Sequence, residues 1–363
     1  MPRQPTRRDD IRFAIICALP LEYDAVLDSL DKSWSGSGED NDPNQYTTGC
    51  FGSLAVVLVL LAGKGMENAA SAVASLRSSY QNVTTALVVG ICGAVPFLAD
   101  KTEVLLGDVV ISQHVDRYDF GHQYPDGFKP TSRIEDTLGR PNKETRILTQ
   151  LLKTRSGRSK LEIRAQEELQ TLQAKVDAEG RHRGIYKYLG AMQDNLFKPN
   201  HRHKHYGRAR CNICKVCYKS EDPVCGTAIE SQCEDLGCAN GKGKMIERKR
   251  LELQKEVEAA GVVTPPTLAI HIGGFGTANR VLKSGEDRDR IAASRNVIAF
   301  EMEAGGVWDE LPSCIVVKGV CDYADSHKPK SWQNYAAGVA ASTVKALLKL
   351  HFEDREKSHN ELG

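Results

Sequence analysis

Residues 295–306, RNVIAFEMEAGG, decide the fold: an apolar run passes directly into two glutamates and a small-residue segment. Val297–Phe300 reads as a strand buried on both faces. Glu301 and Glu303 then fall in the first turn of a helix, where carboxylates complement the helix dipole. A second apolar run, SCIVVKGVCD (313–322), follows within a short helix's length. Strand, helix and strand in such close succession mark an α/β domain.

The same alternation occupies residues 11–125. IRFAIICAL, SLAVVLVLLAGKG, TTALVVGICGAV and LLGDVVISQHV read as buried strands. Leu21–Leu30 and Met66–Tyr80 read as the helices between them. The pattern stops after Gly127 and resumes at PTLAIHIGGF (266–275), ending in an amphipathic helix over about Trp332–Phe352. The expected organisation is a core formed by residues 11–142 and 262–353, interrupted by a helical and low-complexity insertion over 143–261. Within it, Leu161–Glu179 reads as a solvated helix rich in i,i+4 charges. Residues 198–245 are poor in apolar residues and expected to be partly disordered. Residues 1–10 and 354–363 are expected to be flexible tails.

The 363 residues carry a net charge of +1 and 41% apolar residues. That balance speaks against a nucleic-acid polymer or a membrane surface as partner, and no apolar run reaches a membrane-spanning length. The N-terminus lacks a secretory apolar segment. Cysteines within apolar runs (Cys17, Cys92, Cys314, Cys321) suit a reducing compartment, cytoplasmic or nuclear.

In open α/β sheets, ligands lie beyond the carboxyl ends of the strands, and four such ends carry candidate chemistry. Glu22 in IICALPLEYDAV follows the first strand, either as a dipole-complementing acid or as a reacting carboxylate. Gly90, Cys92 and Gly93 end the third strand, where backbone N–H groups can meet a ligand. Gly63 in AGKG is a weaker signal of the same kind. Glu303 offers a carboxylate that can accept two hydroxyl hydrogen bonds, as a ribose diol requires, and Met302 can cover an apolar sugar face. Asp322, beyond the last strand, is placed as a proton donor or a loop cap, with Asp325 and His327 as candidate supports.

Six cysteines (Cys211, Cys214, Cys217, Cys225, Cys233, Cys238) cluster within the insertion, near His201, His203 and His205. Four soft ligands, Cys211, Cys214, Cys217 and Cys225, would form a structural zinc site. The alternative is a loop of exposed thiols. His201, Arg202, His203 and Lys204 are candidates for a nucleotide's phosphates, with a solvated linker as the plainer reading.

Taken together, FAIICALPLEYDAV, AGKGMENAA, VVGICGAVP, GDVVISQ, YDFGHQYPDG, LGRPN, IAFEMEAGGVWD and VVKGVCDYADSHKPKSWQNYAA resemble the purine nucleoside phosphorylase and nucleosidase superfamily. More narrowly, they are similar to a fungal nucleoside-phosphorylase-type domain. The resemblance implies an α/β fold of three layers around a mixed, partly barrel-like sheet, and cleavage of an N-glycosidic bond. It implies that Glu303 and Met302 hold ribose and that Asp322 protonates the purine. It places Phe275 and Asn279, in GFGTAN, by the base.

The departures bear on which reaction is expected. Phosphorylases of the superfamily carry an arginine after the first strand and an arginine and serine around the third. Here CALPLEY has no arginine, and Val88 and Ile91 stand at the other two positions. Burying a dianion without charged donors is costly. Glu22 falls where methylthioadenosine/adenosylhomocysteine nucleosidases carry the carboxylate that activates water. Hydrolysis of a purine nucleoside or nucleotide is therefore the expected reaction, with no cofactor. Phosphorolysis is the alternative, with inorganic phosphate as co-substrate and Lys64, Arg77 or Arg280 rebuilding its site. A non-catalytic nucleoside or nucleotide sensor is the reading from another class, and a zinc-dependent interaction module around 201–240 a further one. Related enzymes imply a homo-oligomer.

Overall fold

The computed structural model describes residues 7–131, 137–180, 182–206, 211–240, 244–261, 265–311 and 313–353. The strands are β1 (Phe13–Cys17), β2 (Lys32–Gly36), β3 (Tyr46–Phe51), β4 (Leu54–Leu60), β5 (Thr85–Ala94), β6 (Val109–Arg117), β7 (Gly121–Tyr124), β8 (Gly127–Pro130), β9 (Ile270–Thr277), β10 (Val297–Glu301) and β11 (Cys314–Asp322). The helices are α1 (Pro20–Ser29), α2 (Met66–Ser79), α3 (Lys143–Lys153), α4 (Arg155–Glu179), α5 (Asn212–Lys215), α6 (Gly226–Glu230), α7 (Cys233–Leu236), α8 (Lys249–Ala259), α9 (Gly285–Arg295), α10 (Ala304–Glu310) and α11 (Gln333–Leu348).

Nine strands form one mixed sheet in the order β10-β9-β6-β11-β5-β1-β4-β3-β2, and β10 also pairs back onto β5. Strands β5, β11, β6, β9 and β10 thus close into a five-stranded barrel, with β1–β4 continuing from it as an open wing. Closure is antiparallel and rests on Ala299 opposite Ala94 and Phe300 opposite Gly93. Strand β11 is buried along its whole length, as expected of a strand covered on both faces. The α/β architecture with a partly barrel-like sheet is the expected one. Strands β7 and β8 form a separate hairpin through Pro125 and Asp126.

Two expectations for the helices need correction. Helix α4 is not solvated: Leu161, Ala165, Leu169, Leu172 and Val176 are buried in the main core, where α4 packs on α11. Burying each large apolar side chain of this stripe stabilises by about 1.5–3 kcal/mol. The stripe is a single residue wide among many charges, so composition conceals it. Residues 143–179 accordingly form a layer of the core. Helix α11 is not amphipathic either. Every residue from Tyr335 to Leu348 is buried, because the helix lies among α1, α4, β5 and β11. Its small residues permit this: a Cβ on Gly319 would meet the carbonyl oxygen of Ala336 at 2.0 Å.

Within the insertion, α5, α6 and α7 surround a small buried cluster of Phe197, Cys214, Ala228, Leu236 and Cys238. Residues 207–210 and 241–243, where disorder was expected, lie outside the described residues, as do residues 1–6 and 354–363. Among the described residues, no helix is long and apolar enough to cross a membrane.

Candidate active site

Three strand ends and one strand-to-helix turn converge on a cleft of about 150 Å³. Glu22, Cys92, Gly93, Met302, Glu303 and Asp322 all line it.

Glu22 enters from the first turn of α1. Pro20 starts that helix, and Glu22 accepts the N–H of Leu19, the residue before it (2.9 Å). It therefore acts as a cap, but its reach extends further. Oε2 also accepts from Ala18 N (2.9 Å), and Oε1 accepts from Ile91 N at the end of β5 (2.8 Å). Gly90 is glycine for this contact, since a Cβ there would lie 1.9 Å from Glu22 Oε1. Backbone donors from two strand ends thus converge on one carboxylate, in the kind of nest that binds anions.

Glu303 sits at the N-cap of α10. Between the two acids stands Lys318 on β11, 3.8 Å from Glu22 Oε1 and 3.5 Å from Glu303 Oε2. It is 1% exposed. Burial lowers the affinity of its amine for a proton, but Glu22, Glu303 and Glu301 outweigh burial and raise its pKa. Burial raises the pKa of Glu22; Lys318 pulls it back and Glu303 adds to the rise. Lys318 has no signature in the sequence, because a lysine inside an apolar strand carries no motif. The usable signal was the cost of burying an unpaired ammonium, which requires an acid nearby.

Glu301 plays a different part from Glu303. Its Oε2 accepts from Glu303 N (2.9 Å) and Ala304 N (2.8 Å), capping α10. Its Oε1 is buried without a hydrogen-bond partner. Burial and the neighbouring Glu303 push its carboxyl up to about 7. Gly305 and Gly306 let α10 close on α2: a Cβ on Gly306 would meet Met66 O at 2.0 Å. The two acids and two glycines of FEMEAGG thus divide into a cap, a carboxylate lining the cleft and a packing contact.

Asp322 ends β11 after a bulge that brings it opposite Gly93. A Cβ on Gly93 would lie 2.6 Å from Asp322 Oδ1. That oxygen accepts from Ala324 N (2.8 Å) and from Lys328 Nζ (2.6 Å). The expected supports are therefore replaced. Asp325 accepts the N–H of His327 (2.8 Å), and the His327 ring turns away toward Cys233. Lys328, on the same loop, is the partner of Asp322 instead.

Three residues expected at the ligand lie elsewhere. Phe275 is fully buried in the core, because β9 turns it inward. Phe300 and Tyr118, with ring centroids 5.8 Å apart and edge to face, line the cleft instead. Asn279 caps α2, accepting from Met66 N (2.9 Å) and donating to Glu67 (2.7 Å). Gly63 is outside the cleft lining. Of the cations weighed for phosphate, Lys64 and Arg280 line the cleft, whereas Arg77 pairs with Glu310 on the surface (3.1 Å).

The cysteine set also changes. Cys211, Cys214 and Cys225 gather with His205, while Cys217 points its thiol at Asp222 O (3.8 Å). A second set joins His203, Cys233 and Cys238 to His327. The basic run 201–204 turns into the insertion: Arg202 donates to Ser220 O (3.0 Å) and Asp222 O (2.8 Å), and Lys204 donates to Cys217 O.

Residues 12–166 match the family model described as the phosphorylase superfamily. The fold is similar to that of a futalosine hydrolase mutant of Helicobacter pylori, at TM-score 0.50 and 11% identity, covering 94% of this chain and 99% of that one. It is similar to that of the 5'-methylthioadenosine/S-adenosylhomocysteine nucleosidase of Helicobacter pylori, at TM-score 0.50 and 12% identity, covering 94% and 98%. A nucleotide-binding leucine-rich repeat (NLR)-like protein of Hyaloscypha variabilis is 29% identical over 355 residues. That alignment covers 95% of this chain, which spans about 30% of the relative's length.

Proposed function

Since residues 12–166 match the family model described as the phosphorylase superfamily, we propose that the chain hydrolyses the N-glycosidic bond of a purine nucleoside or nucleotide. The observation that carries the reading is the position of Glu22. Its carboxylate takes the Ala18, Leu19 and Ile91 N–H groups, the donors that a phosphate would need. A second anion there meets repulsion and finds those donors already used.

In this reading Glu22 removes a proton from water as the water oxygen bonds to C1' of the sugar. Lys318 keeps the carboxylate ionised for that task, and the raised pKa of Glu22 makes it a better base than a solvated glutamate. Glu303 and Met302 hold the ribose, where positive charge develops. The C1'–N9 bond breaks with its electron pair passing to the purine. Asp322 donates a proton to N7, and Lys328 restores the charge balance beside it. Phe300 and Tyr118 provide aromatic surface for the base.

Lys64 and Arg280 at the cleft are what favours phosphorolysis as the second reading. The test is base release from a panel of purine nucleosides and nucleotides, with and without phosphate. Free ribose, or ribose phosphate from a nucleotide, at a rate indifferent to phosphate supports hydrolysis. An absolute requirement for phosphate with ribose 1-phosphate as product supports phosphorolysis. Tight ligand binding without turnover supports a sensor, a role in keeping with the NLR-like name of the relative from Hyaloscypha variabilis.

A further inference from the structure

We infer that the insertion binds two zinc ions, and that the second ion fastens it to the loop carrying Asp322. The first site is His205, Cys211, Cys214 and Cys225; the second is His203, Cys233, Cys238 and His327. In each, the four ligand atoms all lie within 4.8 Å of one another.

The spacings are those of a tetrahedron's edges. With Zn–S near 2.3 Å and Zn–N near 2.05 Å, a tetrahedral ion separates its ligands by about 3.8 Å for S···S, about 3.5 Å for S···N and about 3.3 Å for N···N. In the first site, Cys214 Sγ lies 3.7 Å from Cys225 Sγ, and each lies 3.5 Å from His205 Nδ1. In the second, Cys233 Sγ is 3.4 Å from His327 Nδ1 and 3.6 Å from His203 Nδ1. Cys238 Sγ is 3.5 Å from His203 Nδ1, and the two Nδ1 atoms are 3.4 Å apart. Two neutral imidazoles have no reason to point ring nitrogens at each other and at two thiols unless a cation lies between them. A sulfur–sulfur distance of 3.7 Å also far exceeds the roughly 2.05 Å of a disulfide.

The surrounding groups agree. His203 Nε2 donates to Ser231 O (3.0 Å) and His327 Nε2 to His201 O (3.1 Å), which leaves Nδ1 of each ring free to ligate. In the first site, Cys211 Sγ accepts from Cys214 N and Cys225 Sγ from Ala228 N, both at 3.4 Å. These N–H···S bonds stabilise thiolates. A tetrahedral set of thiolates and imidazoles with no ligand position left over suits structural zinc.

The second site is the consequential one. His327 belongs to the core, one residue before Lys328, the partner of Asp322. Its three co-ligands come from the insertion. The same loop is held again at Tyr323, whose hydroxyl donates to Asp194 (2.9 Å). The insertion thus fixes the far side of the cleft.

The experiment is metal analysis of the purified full chain after zinc reconstitution, read separately from any catalytic assay. Two zinc ions per chain are expected. Cys225→Ser is expected to lose one, His327→Ala the other, and His327→Cys to retain both. Hydrogen exchange over residues 323–332 should accelerate in His327→Ala and stay unchanged in Cys225→Ser. Fewer than one zinc per chain in the parent, or two zinc ions retained by His327→Ala, overturns the inference. Equal exchange in His327→Ala and the parent overturns the fastening role.

Discussion

The ammonium of Lys318 lies 3.8 Å from Glu22 Oε1 and holds it in a site where Glu303 is the second acid, 3.5 Å away on Oε2. Removing this cation leaves two buried carboxylates without their shared counter-charge. Lys318→Met is expected to destabilise the fold by about 3–5 kcal/mol. Chemical denaturation at neutral pH measures the loss, and a change below about 1 kcal/mol would show that the three groups are not coupled.

Glu22→Gln keeps the volume and an accepting oxygen but removes the base. Base release is expected to fall about 10²- to 10⁴-fold, with affinity for the purine product retained. Because the pKa of Glu22 is raised by burial, the reactive ionised form is lost as pH falls. The acid limb of the parent's kcat should therefore lie above the ordinary glutamate range and be missing from the variant's residual rate. A parent profile that is flat down to the ordinary carboxylate range removes Glu22 as the base.

Asp322→Asn should abolish most base release, again by about 10²- to 10⁴-fold, while ligand affinity persists. A purine analogue with a good leaving group, which needs little protonation, should suffer less. Equal losses on both substrates would place Asp322 in positioning rather than in proton transfer.

Glu301 makes a prediction about stability. Its carboxyl is pushed from 4.5 up to about 7 in the fold, so the folded state holds a proton that the unfolded state releases. That contribution is fully present below the unfolded value and is lost as pH rises through about 7. Glu301→Gln keeps an acceptor for Glu303 N and Ala304 N without this titration. It should gain stability relative to the parent between pH 5 and 8, by up to about 3 kcal/mol. Thermal melting across that range checks it, and a pH-independent difference would mean that Glu301 is ionised throughout.

The parts of the molecule that were legible in the sequence are those where a short-range pattern carries the physics. Buried strands show as apolar runs, and a carboxylate just past a strand end shows by its place. That sufficed for β1, β5, β10 and β11 and for the convergence of Glu22, Glu303 and Asp322. Lys318 was not legible because its meaning depends on Glu22, far away in the chain; Lys328 lies six residues from Asp322, but a loop lysine at that spacing carries no pattern. Phe275 was misplaced because neighbouring residues of a barrel strand point to opposite faces, and a one-residue difference exchanges cleft for core. Both rings are buried, but Phe300 rather than Phe275 lines the cleft. Helix α4 hid its buried stripe under charge, and His327 hid its partners because they lie at least 89 positions earlier, at Cys238, and further back at Cys233 and His203.

The barrel closes through a short junction, Ala299 with Ala94 and Phe300 with Gly93, extended by the Val95 N–H donating to Ile298 O (2.9 Å). Gly93 and Phe300 also line the cleft. The ring is therefore thinnest at its own mouth. Breathing of the cylinder at that junction would reshape the floor of the cleft. A covalent clasp across the junction would trade ligand exchange for rigidity, and loosening it would widen the mouth without disturbing the open wing of the sheet.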